Sequence, residues 1–238
     1  MQTVPDGTIW CAGATRSIDG DIATAATGNN GAAGTNDGWL MHINTSAAVG
    51  SQILYNCCYG GSAEDFFNDI NVLSDNTIWL CGSTASNDGN LTSVGNHGST
   101  DVWLACVNPT TNTLTYNRCF GGSATDGNLP NVSVSARMQL AADGTKWVSA
   151  QSASTDGDLA AAGNHGGNDV WLFNIDTSAN QLKYSKCYGG NGDEVMPALS
   201  LAPASKQVWI VAGTTSTANG DVPATHGGQD LWLFNVAY

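Results

Sequence analysis

Charge is what this chain has least of. Only 11% of its 238 residues are Asp, Glu, Lys or Arg, with 7 basic residues against 20 acidic ones. The formal net charge of −13 repels phosphate backbones, which excludes nucleic acid and anionic membrane as partners and leaves cations or neutral polar ligands. No apolar run is long enough to span a bilayer, so membrane insertion is not expected. The N-terminus lacks a basic-then-apolar secretion signal. The chain is therefore either cytosolic or exported by a signal lying elsewhere. Sustained helical periodicity is missing as well.

What the chain does have is repetition. Asp6-Gly-Thr-Ile-Trp10 returns as Asp75-Asn-Thr-Ile-Trp79, as Asp143-Gly-Thr-Lys-Trp147 and, more loosely, as Ser205-Lys-Gln-Val-Trp209. Each copy then passes through a polar Gly/Asp loop to a second tryptophan, Trp39, Trp103, Trp171 or Trp232, so all eight tryptophans are repeat positions. The copies span approximately residues 1–65, 66–126, 127–194 and 195–238 of a single domain. With 42% hydrophobic residues the chain can bury a substantial core, and its polarity comes from the turn formers Gly, Ser, Thr, Asn and Asp.

The second copy predicts four strands: one through Asn71–Ser74, then Thr77–Thr84, Asp101–Asn108 and Thr113–Phe120. The third predicts the same from VSVSARMQLAA, TKWVSAQS, DVWLFNID and QLKYSKCY. Asp-Gly or Asp-Asn turns join strands one and two, and Asn/Pro/Ser/Thr turns join strands three and four. Several strands are nearly continuous apolar runs, the pattern of sheets covered on both faces. Four short antiparallel strands per repeat, each sheet sandwiched between neighbours, describe an all-β fold with β-propeller blades. A β-sandwich is the runner-up, against which the four near-equal copies argue.

Parity of strand direction puts the loop between strands two and three on the same side as the crossover to the next blade. The loop carries Ser-x-Asp-Gly-Asp and His-Gly-Gly-x-Asp; the crossover carries Gly-Gly-Ser-x-x-Asp. The polar chemistry of every repeat is thus gathered on one face.

These motifs resemble the propeller repeats of exported bacterial surface proteins of the Bacteroidetes type, related to the seven-bladed β-propeller repeat family. The matching residues are Gly121–Asp126, Gly82–Thr84, Gly213–Thr215, Ser86–Leu91, Ser154–Leu159, His97–Trp103 and His165–Trp171. The resemblance covers essentially the whole chain and implies an extracellular or cell-surface location. It implies no defined activity. Copies one and four depart from it: Asn29-Asn30-Gly31 replaces Gly-Asn-His-Gly, with the loop lengthened through Ala32–Asn36, and Asn219 replaces a loop aspartate.

The loop carboxylates and amides are candidate ligands for a hard cation such as Ca²⁺, which takes six to eight oxygens. They are Asp19, Asp21 and Asp37; Asp88, Asn90 and Asp101; Asp156, Asp158 and Asp169; and Asp221 and Asp230. The spacing is not that of an EF-hand, and the competing reading is that these side chains brace their own loops through Asx turns. His97, His165 and His226, with the crossover Asp126, are candidate ligand contacts on the same face. One histidine per blade does not make a zinc cluster, and a hydrogen bond stitching each loop is the alternative role. His42 reads as a packing residue of strand three.

The seven cysteines read as buried thiols, since equivalent positions Cys58, Cys119 and Cys187 fall on different blades; the vicinal Cys57-Cys58 pair is the redox alternative. No catalytic constellation stands out, so an enzyme is not expected. The acids Glu64-Asp65 and Asp193-Glu194, read as breaks in the repeat, are the candidates for polysaccharide processing.

The expected function is an extracellular binding or scaffold module with a glycan or protein ligand. A multivalent carbohydrate-binding lectin is the alternative. The first copy opens midway through strand one and the fourth stops after strand three, so the chain is expected to be part of a larger propeller or an imperfectly closed one. An open blade edge predicts self-association.

Overall fold

The computed structural model describes residues 1–25, 27–29, 34–127, 136–223 and 225–238. Its strands form four antiparallel sheets in which neighbours in sequence are neighbours in space. The first holds β1 (Gln2–Thr3), β2 (Ile9–Thr15), β3 (Asp37–Ile43) and β4 (Ile53–Tyr59). The second holds β5 (Asp65–Val72), β6 (Ile78–Thr84), β7 (Asp101–Asn108) and β8 (Thr113–Phe120). The third holds β9 (Ala136–Leu140), β10 (Lys146–Ser152), β11 (Asp169–Asp176) and β12 (Gln181–Tyr188). The fourth has three strands, β13 (Glu194–Ala202), β14 (Gln207–Thr214) and β15 (Asp230–Ala237). These are propeller-type blades, and the fold is all-β.

Local chemistry closes each tight turn. Gly7, Asn76 and Gly144 take φ of +83°, +63° and +85°, the left-handed region open to Gly and Asn. The preceding aspartates lock the turns: Asp6, Asp75 and Asp143 each accept the backbone N–H two residues on, at 2.9, 2.9 and 3.0 Å. Hydrogen bonds to the ionised form, first from the Thr8, Thr77 and Thr145 side chains and then from their backbone N–H groups, hold the three exposed carboxyls below the ordinary range.

Two compact units follow from the contacts, one of Met1–Asn96 with Trp103–Cys119, the other of His97–Val102 with Phe120–Tyr238. In the first, Trp10, Leu40 and Tyr59 of the first sheet pack on Phe67, Ile78, Leu80 and Trp103 of the second. In the other, Trp147, Val170, Leu172 and Tyr188 pack on Val208, Ile210, Ala212 and Trp232. Strands β6, β7, β10 and β11 are buried on both faces; β7 and β11 accordingly read as nearly continuous apolar runs, whereas β10 also buries Ser149, Gln151 and Ser152. His42 is a packing residue, its ring stacked on Trp10 at 4.1 Å and 3°. All seven cysteines are free thiols. Burial pushes the Cys58 thiol up to about 12 and that of Cys187 well above its usual range, so neither carries thiolate nucleophilicity near neutrality.

Two first strands differ from expectation. In the second copy β5 runs from Asp65 to Val72, so Asn71 and Val72 of the expected segment lie in it and Leu73 and Ser74 beyond its end. It reaches back to Asp65 because the crossover acid itself pairs with Thr84. A bulge between Phe67 and Asp69 then breaks the alternation that would have revealed the strand. In the third copy β9 begins at Ala136, and residues 132–135 of the expected strand lie outside the described ones. The polar loops also hold single 3-10 turns, Ile22–Thr24, Gly89–Leu91 and Gly157–Leu159, whose Ile22, Leu91 and Leu159 are buried anchors.

Candidate functional site

Each of the three crossovers is clasped by the loop that follows it, at the same repeat positions though not always by the same side chains. In the first clasp Ser62 N–H donates to Asp88 Oδ1 at 2.6 Å, Gly60 N–H to Asn90 Oδ1 at 2.9 Å and Ala63 N–H to Ser86 Oγ at 3.0 Å. In the second, Ser123 N–H donates to Asp156 Oδ1 at 2.6 Å, Gly121 N–H to Asp158 Oδ2 at 3.3 Å and Ala124 N–H to Ser154 Oγ at 3.0 Å. In the third, Asn219 Oδ1 replaces the aspartate and accepts from Asn191 N–H at 2.9 Å, while Ser216 Oγ accepts from Gly192 N–H at 2.9 Å. The Asp19 carbonyl accepts from Ile22 N–H, and that of Asp21 from Asn56 Nδ2. Asp221 N–H donates to the Gly189 carbonyl.

Beneath each clasp lies a buried acid. Asp65, Asp126 and Glu194 are fully buried and stand at one repeat position, the fourth after the second glycine of the crossover. Asp126 Oδ2 accepts from Gly122 N–H and Ser154 Oγ, both at 2.7 Å, and Oδ1 accepts from Ser152 Oγ. Asp65 takes the equivalent bonds from Gly61, Ser86 and Thr84, and Glu194 from Gly190, Ser216 and Thr214. One crossover amide and two hydroxyls thus form a nest filled by the crossover's own acid. Asp65 and Glu194 are therefore members of the repeat, contrary to the expectation that they interrupt it, and Asp126 is enclosed rather than presented to a ligand. Their flanking acids are surface braces: Glu64 pairs with Arg16 and Asn36, and Asp193 Oδ1 accepts from Asn168.

A second buried carboxylate opens each third strand. Asp37, Asp101 and Asp169 are fully buried, and Asp230 is half-buried. Asp101 Oδ2 accepts from His97 N–H at 3.0 Å and from its ring Nδ1 at 2.5 Å; Asp169 does the same for His165 at 2.9 and 2.7 Å. Asp230 Oδ2 accepts from His226 N–H at 2.7 Å. The Oδ1 atoms of Asp101 and Asp169 are buried with no hydrogen-bond partner among the described residues. Both face the crossover acid across a glycine: a Cβ on Gly121 would lie 2.5 Å from Asp101 Oδ1 and 2.7 Å from Asp126 Oδ2, and one on Gly189 would meet Asp169 Oδ1 and Glu194 Oε2 likewise. Only glycine leaves room for two carboxyl groups here.

Burial is the main cause of their titration. Asp65 and Asp101 are each pushed up to about 6, and Asp126 and Asp169 are also raised, with hydrogen bonds opposing the shift. The exposed Asp88 and Asp156 are held low by the Ser62 and Ser123 bonds.

The histidine rings reach the surface. The His97 side chain is 48% exposed and that of His165 31%, each held by Nδ1 to a buried aspartate, and His165 Nε2 lies 3.8 Å from Asp221 Oδ2. In the first copy Asn29 Nδ2 donates to the Thr15 carbonyl as Asn96 and Asn164 do to Thr84 and Ser152, while Asn30, at the histidine position, lies outside the described residues. Among the described residues no group of three or more His, Cys, Asp or Glu side chains is placed to hold a metal ion, and no helix is long and apolar enough to cross a membrane. A cleft of about 580 Å³ beside β4 is lined by Asp21, Gln52, Leu54, Tyr55 and Asn56.

No family model matches the chain, and no curated protein does. Among solved structures it is similar to the hydrazine synthase of Kuenenia stuttgartiensis, at 12% identity and a TM-score of 0.45 over 74% of this chain and 45% of that one. It is also similar to the family 43 glycoside hydrolase YxiA of Bacillus licheniformis, at 12% identity and a TM-score of 0.39 over 86% of this chain and 49% of that one. The chain thus spans about half the length of either solved chain.

Proposed function

We propose that this chain is a binding and scaffold module of the cell surface, which meets a polar ligand through the side bearing its crossovers and polar loops. The observation that carries the reading is the repeated presentation of a histidine: His97 and His165 are fixed by a buried aspartate while their side chains stay 48% and 31% exposed. A ring held in one orientation loses little entropy on binding, so the second and third copies each offer a pre-organised hydrogen-bonding group, and the two act together on one ligand. The extracellular setting rests on the resemblance of the motifs. Of the loop acids that would favour calcium, Asp88, Asp156 and Asp158 are already engaged by crossover amides and Asp101, Asp169 and Asp230 by histidine amides, so a neutral polar ligand fits better than a bound ion.

The test is a thermal-shift series with Ca²⁺, with EDTA and with a glycan panel, followed by titration of any ligand found. The expected result is a stabilising polar ligand whose affinity falls roughly tenfold for each of His97→Ala and His165→Ala, with little change in melting temperature. A ligand indifferent to both substitutions would sink this assignment. Stabilisation by Ca²⁺ that EDTA reverses and Asp156→Ala abolishes would replace it with a calcium-dependent one.

A carbohydrate ligand is the second reading, favoured by the cleft beside β4, where acid and amide groups adjoin the exposed Leu54. Gln52→Ala, at its rim, then weakens glycan binding while the histidine variants do not.

A further inference from the structure

Strand β15 is unlike its three counterparts. Its side chains alternate strictly, with Trp232, Phe234 and Val236 turned inward and Leu231, Leu233, Asn235 and Ala237 outward. Leu231 and Leu233 are 79% and 61% exposed, whereas Val170, Leu172, Val102 and Leu104 at the same repeat positions are 0% exposed. Trp209 of β14 is 38% exposed, against 3–8% for its equivalents Trp10, Trp79 and Trp147. The fourth sheet therefore leaves open the face that the third sheet buries.

The third sheet shows what fits such a face. Its Trp147, Val170 and Leu172 are covered by the opposite face of the fourth sheet, built from Val208, Ile210, Ala212 and Trp232 with Phe234 and Val236. The first sheet carries a face of the same pattern: Trp39, Met41 and Ile43 stand where Trp232, Phe234 and Val236 stand, flanked by Ile9 and Cys11, and all five are half-buried. We infer that the open face of the fourth sheet is an association surface for the first sheet of a second copy of this chain. The contact continues the sheet-on-sheet packing already present between the third and fourth sheets. Three strands about 4.8 Å apart and about eight residues long give a face of roughly 14 by 26 Å. Stacking a sheet on it buries on the order of 1,000 Å² over both partners, the lower bound for a specific interface. Surfaces of different kind meet, so the contact is head-to-tail, and copies add in series or close into rings. The net charge of −13 opposes this, so salt strengthens it.

The test is sedimentation velocity over a concentration series at low and high salt. Oligomers are expected to grow with concentration and with salt. Leu233→Lys blocks one end and Met41→Lys the other; each variant alone is monomeric, but a mixture of the two forms heterodimers and nothing larger. Leu233 is exposed, so its replacement leaves the melting temperature within about 1–2 °C of the parent. A chain monomeric at every concentration and salt overturns the inference, and so does association that survives Leu233→Lys. Association blocked by Leu233→Lys but not by Met41→Lys identifies a contact between two fourth sheets and equally overturns it.

Discussion

Truncation of Asp126 to alanine is expected to cost about 3–5 kcal/mol of folding stability and to lower the melting temperature by roughly 10 °C. The side chain is fully buried and accepts three hydrogen bonds, from Gly122 N–H, Ser154 Oγ and Ser152 Oγ. Removing it strands those donors, at about 1–3 kcal/mol for each that finds no new partner, and leaves a void under the crossover. The serine hydroxyls rotate, which recovers part of the loss, and relief of the charge repulsion with Asp101 recovers more. The Gly122 amide is fixed by the backbone and recovers nothing. Asp126→Glu is expected to be much milder, since Glu194 fills the same nest in the third crossover. Removal of an exposed acid, as in Asp19→Ala, is expected to change stability by less than about 0.5 kcal/mol. Denaturant unfolding of the three variants checks the ranking; an Asp126→Ala protein within about 1 kcal/mol of the parent would show that the nest carries no weight.

The same nest marks where sequence reasoning stops. The repeat of tryptophans and turn residues was enough to place β7, β8, β11 and β12 at their observed ends, because short apolar segments and turn chemistry are local signals. It was also enough to bring crossover and loop to one side. The role of the acids was less legible. Asp65 and Thr84 are 19 residues apart, and Asp126 and Ser152 are 26 apart, so neither partnership shows in any window of sequence. A carboxylate next to glycines reads as solvated, and Glu64-Asp65 and Asp193-Glu194 drew attention as pairs when only the second member of each belongs to the nest. One signal was available: aligned on Gly60-Gly61, Gly121-Gly122 and Gly189-Gly190, all three copies have an acid at the same offset, whatever its length.

Replacement of Asp101 by asparagine is expected to leave the protein as stable as the parent at neutral pH, or up to about 2 kcal/mol more stable, and to flatten its pH dependence. The Asp101 carboxyl is lifted from the ordinary 3.8 to about 6, chiefly by burial and further by the Asp126 charge. Asp65 is lifted to the same value, and Asp126 and Asp169 move in the same direction. The folded state thus holds these protons more tightly than the unfolded chain. The stabilisation they contribute is complete below about pH 4 and is lost as the pH rises through about 6, by on the order of 2–3 kcal/mol for an independent group. Burial is the main cause of each shift, and the Asp126 charge adds only the smallest part of the lift of Asp101. The acids of the turns, loops and strand ends work the other way. Asp6, Asp75, Asp88, Asp143, Asp156 and Asp176 are held below 3.8 by hydrogen bonds, and what they contribute is lost as the pH falls through their folded values. Stability should therefore peak between about pH 4 and 6 and decline toward neutrality. In Asp101→Asn the amide oxygen still accepts from His97, while the neutral amide nitrogen takes the place of the unpartnered Oδ1 beside Gly121. One buried charge is gone. Unfolding free energies of parent and variant from about pH 4 to 8 decide the matter. A smaller decline in the variant is expected, and an unchanged slope, or a variant markedly weaker at pH 8, would show that no charge is crowded beneath the crossover.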